Sequence, residues 1–320
     1  MGKNARARRV QRHRPGHRVG VVGLGIMGGA FARHLVAAGF YVLGFDPAAG
    51  PRQEFTRRGG HVQRSCAEVA RATRVIISSL PSPAAIEQAF FGKDGIVRGA
   101  AAGTVVIEAS TMPLELKERC RKRFAKAGIT LLDCPISGTG AQAAAKDIAV
   151  YASGDRRAFN RCRKVFDGFA RSTYYCGPFG VGSKLKFVAN LLVTIHNLST
   201  AEGMVLAEKA GLDLDMVYQV IRDGAGTSRM FDVRGPMMVK GRYLPATMKS
   251  DVYQKDIDII YAFARRLRCP TPLFNRSLEF YTGALRQGRA KQDTAAIHAV
   301  LRKRAGLRGS APRRMKRKGG

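Results

Sequence analysis

The chain has 320 residues, 45% of them hydrophobic, and a formal net charge of +32 at neutral pH. That length leaves room for two domains and a substantial core. No apolar run reaches the roughly 18 residues a spanning helix needs, so neither a membrane span nor a secretory h-region is expected.

The charge is unevenly spread. Residues 1–18 carry seven Lys/Arg and no acid, residues 302–320 carry nine and no acid, and the body between them stands at +16. Both ends are short of aliphatic residues and read as disordered basic tails. Basic arms can touch nucleic acid electrostatically, a partner to weigh against a simply solvated tail. The six cysteines are scattered, with no Cys-x-x-Cys pair and no metal-ligand spacing. They read as free thiols of a reducing, cytoplasmic compartment, and no metal site is expected.

In chain order, Val19 to Val22 forms a short β-branched run that passes into Gly23-Leu24-Gly25-Ile26-Met27-Gly28. Residues 29–38 read as a helix closed by Gly39, and Tyr41 to Phe45 as a second strand ending at Asp46. Further strands are Val75 to Leu80 before Pro81, Thr104 to Ile107 before Glu108 and Ser110-Thr111, and Ile129 to Leu132 before Asp133. Short continuous apolar strands alternating with helical segments indicate βαβ units and a parallel sheet buried on both faces. This alternation runs to about residue 182, after which the β-branched runs stop. Residues 183–210 read as one long helix ended by Gly211, Asp213 or Asp215 can cap another, and residues 252–268 form a third, stopped by Pro270 and Pro272. The expected fold is therefore α/β. A basic tail (1–18) precedes a Rossmann-like parallel-sheet domain (19–182) and an all-helical domain (183–301), with a second basic tail at 302–320.

The glycine run fits G-x-G-x-x-G: the first glycine makes the tight turn, the second lets backbone approach a pyrophosphate, and the third lets helix pack on strand. A strand precedes it and a helix follows, and an acid, Asp46, closes the second strand eighteen residues past Gly28. A carboxylate there bonds a ribose 2′-hydroxyl and repels a 2′-phosphate, which favours NAD. Arg52 softens that preference and keeps NADP in view.

Ser110-Thr111 and Ser137-Gly138-Thr139-Gly140 follow sheet-type strands, so they should face the crevice outside the strands' carboxyl ends, where small residues suit a carboxylate. Lys186 and Asn190 stand four residues apart in the long helix. That spacing puts an ammonium and a carboxamide on one face. Such a pair also occurs on solvated faces, but here it follows a dinucleotide motif. His196 and His298 are tempting as proton carriers, although a lone helical His is usually structural.

Four motifs, in order from about residue 18 to 300, resemble the β-hydroxyacid dehydrogenases: Gly23 to Gly28, Asp133-Cys-Pro-Ile-Ser137-Gly138-Thr139, Gly180 to Asn190 as Gly-x-Gly-x-x-x-Lys-x-x-x-Asn, and Lys255-Asp256-Ile257. The resemblance implies NAD(P)-dependent oxidation of a small carboxylate substrate such as 3-hydroxyisobutyrate or L-threonate, or reduction of a semialdehyde such as tartronate semialdehyde. It makes Lys186 the general acid/base and Asn190 its positioning partner. Ser137, Gly138 and Thr139 would hold the substrate carboxylate, Leu80, Pro81 and Thr111 would line the nicotinamide, and Lys255 would touch cofactor or substrate. A homodimer or homotetramer associating through the helical domain is implied too. Thr139 replaces the usual second glycine, so no particular relative's substrate transfers. Two other readings are an imine-reducing relative, which generally lacks the lysine that Lys186 supplies, and a nucleic-acid-associated protein using the basic tails.

Overall fold

Strand content in the first half follows from apolar runs that must be covered on both sides. The computed structural model describes residues 18–307 and divides the chain into two units that meet in sequence between Ser183 and Lys184. In the first unit six strands form one sheet: β1 (Arg18–Val22), β2 (Tyr41–Phe45), β3 (His61–Val62), β4 (Val75–Ser78), β5 (Val105–Glu108) and β6 (Thr130–Asp133). Their order is β3-β2-β1-β4-β5-β6, and every pair is parallel. Alternate residues point to opposite faces of a strand. Thus Val19, Val21, Ile77, Val105, Ile107 and Leu132 enter one core with Phe31, Leu35 and Phe166. Val22, Ile76, Val106 and Leu131 enter the other with Phe90, Leu116 and Phe124. Such two-sided burial is why the strands read as continuous rather than alternating apolar runs.

The chain reverses its direction of sheet growth between β1 and β4, and in open parallel sheets that switch point marks the ligand crevice at the carboxyl ends of the strands. The helix Ile26–Ala37 follows β1 directly and starts three residues earlier than expected, because Gly29 N–H already bonds to the Gly25 carbonyl at 2.7 Å.

A second, three-stranded sheet in this unit had no counterpart in the expected elements. It comprises β7 (Ile136–Ser137), β8 (Ala149–Ala152) and β9 (Ser172–Tyr175), with β7–β8 antiparallel and β8–β9 parallel. The short β7 and the half-exposed Ser-Thr-Tyr-Tyr of β9 carry no apolar run to announce them.

The second unit contains no strand among the described residues. Most of the long helix Val181–Lys209 belongs to it, followed by Leu214–Asp223, Arg229–Val239, Ser250–Arg266, Pro272–Arg286 and Ile297–Arg304. Asp213, rather than Asp215, caps the second of these by accepting Met216 N–H at 2.8 Å. Phe187, Leu198, Met204, Phe231, Ile257, Ile260, Phe274 and Phe280 form its core.

The tail boundaries need correction at both edges. Arg18 is the first residue of β1, and residues 302–304 complete the last helix. Arg302 is held there by a two-pronged pair with Glu208, at 2.7 and 2.6 Å, a geometry that favours Arg on carboxylates. The remaining tail residues, 1–17 and 308–320, lie outside the described residues.

Candidate active site

The sheet gathers the sequence-assigned cofactor residues of the first unit at the carboxyl ends of its strands. Gly23 leaves β1 with φ +85°, and a Cβ on it would stand 2.2 Å from the Ser79 carbonyl oxygen. A Cβ on Gly28 would stand 1.9 Å from the Gly23 carbonyl, whereas one on Gly25 would meet nothing within 4 Å. Gly23 and Gly28 are therefore required by backbone packing, and the space beside Gly25 is open to a group approaching from outside. Gly25 caps the helix Ile26–Ala37 with no side-chain hydrogen bond. The amides of Ile26, Met27 and Gly28 thus present the positive end of a helix. This cradle fits a dinucleotide pyrophosphate.

Asp46, after β2, folds its carboxylate back onto the same turn. Oδ2 accepts Leu24 N–H at 2.8 Å and Oδ1 accepts Ala48 N–H at 2.9 Å. A carboxylate offers about four lone-pair sites, so acceptor capacity remains for ribose hydroxyls. Arg52 lies at the same strand end, donating from Nη1 to the carbonyls of Asp46 and Pro47 at 2.7 and 2.8 Å.

Half-buried Leu80 and exposed Pro81 follow β4. Leu80 N–H donates to Ser110 Oγ at 2.8 Å, which ties this turn to the one carrying half-buried Thr111 after β5. Ser137 ends β7, and Gly138 adopts φ +139° where a Cβ would press within 2.7 Å of Ile148. Thr139 is already engaged. Its hydroxyl accepts Gln142 N–H at 3.4 Å while its own N–H donates to Gln142 Oε1 at 3.0 Å, a capping box on the helix Gly140–Ala144. Its backbone donor reaches a substrate carboxylate only if that box opens.

In the second unit, Lys186 and Asn190 share one face of the long helix. Buried Asn190 donates from Nδ2 to Asp256 Oδ2 at 3.0 Å, and the other oxygen of that carboxylate pairs with Lys255 Nζ at 3.1 Å. The Asn190 carbonyl accepts Tyr253 OH at 3.0 Å. Lys186 has its pKa lowered below the ordinary lysine value, first by burial; Asp256 pulls it up and Lys255 pushes it down. Lys186, Asn190, Lys255 and Asp256 are thus one electrostatic group.

Asp256 and Tyr253 are the members that sequence reasoning passed over. Asp256 stood inside the quoted Lys255-Asp256-Ile257 motif, and its carboxylate next to a lysine was the available signal. Of the two histidines weighed as proton carriers, His298 is buried with Nδ1 3.0 Å from Tyr243 OH. Burial drives its pKa down to about 4, so it stays neutral and belongs to the helical core.

Known proteins resemble this chain over most of its length. Residues 18–177 match the family model described as the NAD binding domain of 6-phosphogluconate dehydrogenase. Residues 180–301 match the model described as NAD-binding of NADP-dependent 3-hydroxyisobutyrate dehydrogenase. L-threonate dehydrogenase from Cupriavidus necator is 32% identical over 284 residues, covering 88% of this chain and 95% of that protein. The NAD-dependent L-serine dehydrogenase of Pseudomonas aeruginosa is 27% identical over 289 residues, covering 88% and 97%. Among solved structures, a 3-hydroxyisobutyrate dehydrogenase from Salmonella typhimurium superposes with a TM-score of 0.81 at 31% identity, over 88% of this chain and 99% of that one.

Proposed function

The chain belongs to the β-hydroxyacid dehydrogenase family, and from that premise we propose that it is an NAD(P)-dependent dehydrogenase that oxidises a small hydroxyacid of the L-threonate or 3-hydroxyisobutyrate class, with Lys186 as general acid/base. The observation that carries the reading is the group formed by Lys186, Asn190, Asp256 and Lys255.

A bound nicotinamide supplies the hydride chemistry; Gly25, the amides of residues 26–28 and Asp46 are the groups that would hold the dinucleotide. Everything else is work for the chain's own side chains. In the oxidative direction Lys186 takes the hydroxyl proton at Nζ, and in reduction it returns it. That role needs a neutral amine in the oxidative direction, and burial moves the Lys186 pKa down, towards that requirement. Asp256 holds the amide nitrogen of Asn190, which leaves the amide oxygen as the end assigned to orient the substrate. Ser137 and Gly138 are assigned to the substrate carboxylate, with Thr139 as the neighbour that shapes it. Leu80, Pro81 and Thr111 are assigned to the nicotinamide, and Lys255 to a cofactor or substrate oxygen.

NAD is the proposed cofactor because Asp46 would repel a 2′-phosphate, while Arg52 at the same strand end leaves NADP as a weaker substrate. A homodimer or homotetramer is part of the proposal, supported by the exposed Leu185, Val188, Leu192 and Leu206 of the long helix. A cytoplasmic location is proposed from the six free cysteines.

A screen of NADH production over L-threonate, 3-hydroxyisobutyrate, glycerate, L-serine and D-phenylserine tests the function. Saturable, NAD-dependent turnover of at least one of these acids is expected. Failure of all five, with NAD binding intact, would refute the substrate class.

A further inference from the structure

Lys117, in the helix Leu114–Ala125, has only 1% of its side chain exposed. Its ammonium stands 2.6 Å from Glu108 Oε2 and 2.8 Å from Asp133 Oδ1, and both carboxylates are as deeply buried as the lysine. Glu108 and Asp133 are register partners closing β5 and β6. Neighbouring strands run about 4.8 Å apart, so two buried carboxylates placed side by side call for a cation between them. Lys117 supplies that cation. Burial works against its charge, but Asp133 and Glu108 outweigh burial and raise its pKa above the ordinary lysine value.

Both carboxylates hand the interaction on. Glu108 Oε1 accepts Ser110 N–H at 2.9 Å, and Ser110 Oγ accepts Leu80 N–H at 2.8 Å. Asp133 reaches the start of the long helix: Oδ2 accepts Ser183 N–H at 2.8 Å and Oδ1 accepts Ser183 Oγ–H at 2.7 Å. Ser153 braces the same point, donating to Asp133 Oδ2 at 3.2 Å and accepting Gly182 N–H at 2.9 Å. Asp133 faces the amides of a helix N-terminus, a place that suits a carboxylate. A buried ion triad adds little stability over apolar packing of the same volume. Its consequence here is geometric, because Lys186 follows Ser183 by three residues in the same helix.

We propose that Lys117 is a positioning residue for the dehydrogenase reaction: it holds the Asp133 carboxylate in place and aimed at Ser183, and so fixes where the helix carrying Lys186 begins. The inference rests on the reading of Lys186 as the acid/base. No ligand is required at the triad, and Lys117 itself touches none of the reacting atoms.

Two variants of the full chain test it, each assayed by hydrogen exchange of the 181–190 segment without substrate and by kcat and KM on the best acid of the screen. Ser183→Ala leaves the triad in place and removes one link to the helix; Lys117→Met removes the cation. Both are expected to speed exchange in 181–190 and to lower kcat about tenfold or more. The KM for NAD should stay within about twofold, because the Gly23–Gly28 turn is untouched. Adding Glu108→Gln to Lys117→Met removes one carboxylate charge and should recover part of the lost kcat. Should Lys117→Met fail to fold, Ser183→Ala decides alone. Unchanged exchange and unchanged kcat in folded Ser183→Ala would overturn the proposal, as would a kcat loss that the double variant does not relieve. Turnover retained in a Lys186→Ala chain would defeat the acid/base reading separately, since the exchange measurement involves no chemistry.

Discussion

The side-chain amide of Asn190 donates to Asp256 across 3.0 Å, joining two helices whose residues stand 66 apart in sequence. A carboxylate can only accept here, so the amide nitrogen is the end that faces it, and the orientation of Asn190 is set. The same carboxylate holds Lys255 and pulls the Lys186 pKa upward. One acid thus orients Asn190, pairs with Lys255 and partly offsets the effect of burial on Lys186.

Asp256→Asn separates those effects. Removing the charge deletes the attraction that raises the Lys186 pKa against burial, so neutral Lys186 should persist to lower pH. The acid limb of the oxidative pH–rate profile should move to lower pH, while kcat falls about 10–100-fold because Asn190 and Lys255 no longer meet a carboxylate there. A kcat loss with an unmoved limb would show that Asp256 does not tune Lys186.

Lys186 also leaves a signature in stability. Its folded pKa lies below its unfolded value, so the unfolded chain binds more protons in the window between them, and stability rises with pH there. At neutral pH burial of this lysine is therefore a destabilising element. Lys186→Met should raise Tm at pH 7, and that gain should shrink as pH climbs through the window toward the unfolded lysine pKa of about 10.4. Thermal melts of both chains across pH 7–10 give the comparison; a gain independent of pH would contradict the depressed pKa.

The three glycines of the turn should fail in different ways. A methyl on Gly25 meets open space, so Gly25→Ala should fold with Tm near that of the parent and raise the KM for NAD at least tenfold by obstructing the phosphates. A methyl on Gly28 meets the Gly23 carbonyl at 1.9 Å, so Gly28→Ala should destabilise the fold by about 1–3 kcal/mol. Calorimetry beside NAD titration distinguishes them. Equal loss of stability in both would refute the assignment of Gly25 to the cofactor.

At the substrate loop, Gln142→Ala should open the capping box and release the Thr139 N–H. The loss of half a box should cost about 0.5–1 kcal/mol of stability. If residue 139 lends its amide to the substrate carboxylate, substrate KM should fall while kcat changes less. An unchanged KM would confine carboxylate binding to Ser137 and Gly138.

The sequence carried much of this architecture because its signals were local. Val19 to Val22 running into three glycines, with Asp46 after the next apolar run, admits few structures other than a strand–turn–helix with an acid at its rim. Lys186 and Asn190 were legible for the same reason, since four-residue spacing fixes a helix face. What stayed hidden depended on distant neighbours. Asp256 matters because it meets Asn190, and periodicity in the helix Ser250–Arg266 does not report that contact. Lys117 is one cation among several in the helix Leu114–Ala125, with no pattern that sets it apart. Only the pairing of β5 with β6 reveals that it lies between two buried acids. Thr139 appeared as an extra side chain at a glycine position, and its capture by Gln142 became visible only with the loop folded.

The central claim is that Lys186 moves the proton, and the direct measurement is turnover of Lys186→Ala beside NAD affinity of the same protein. With the acid oxidised best in the screen, kcat should drop by about 10²–10⁴-fold, the Kd for NAD should stay within about twofold, and the pH dependence assigned to the lysine should vanish from what rate remains. A folded Lys186→Ala chain that keeps the parent kcat and pH profile would contradict the account.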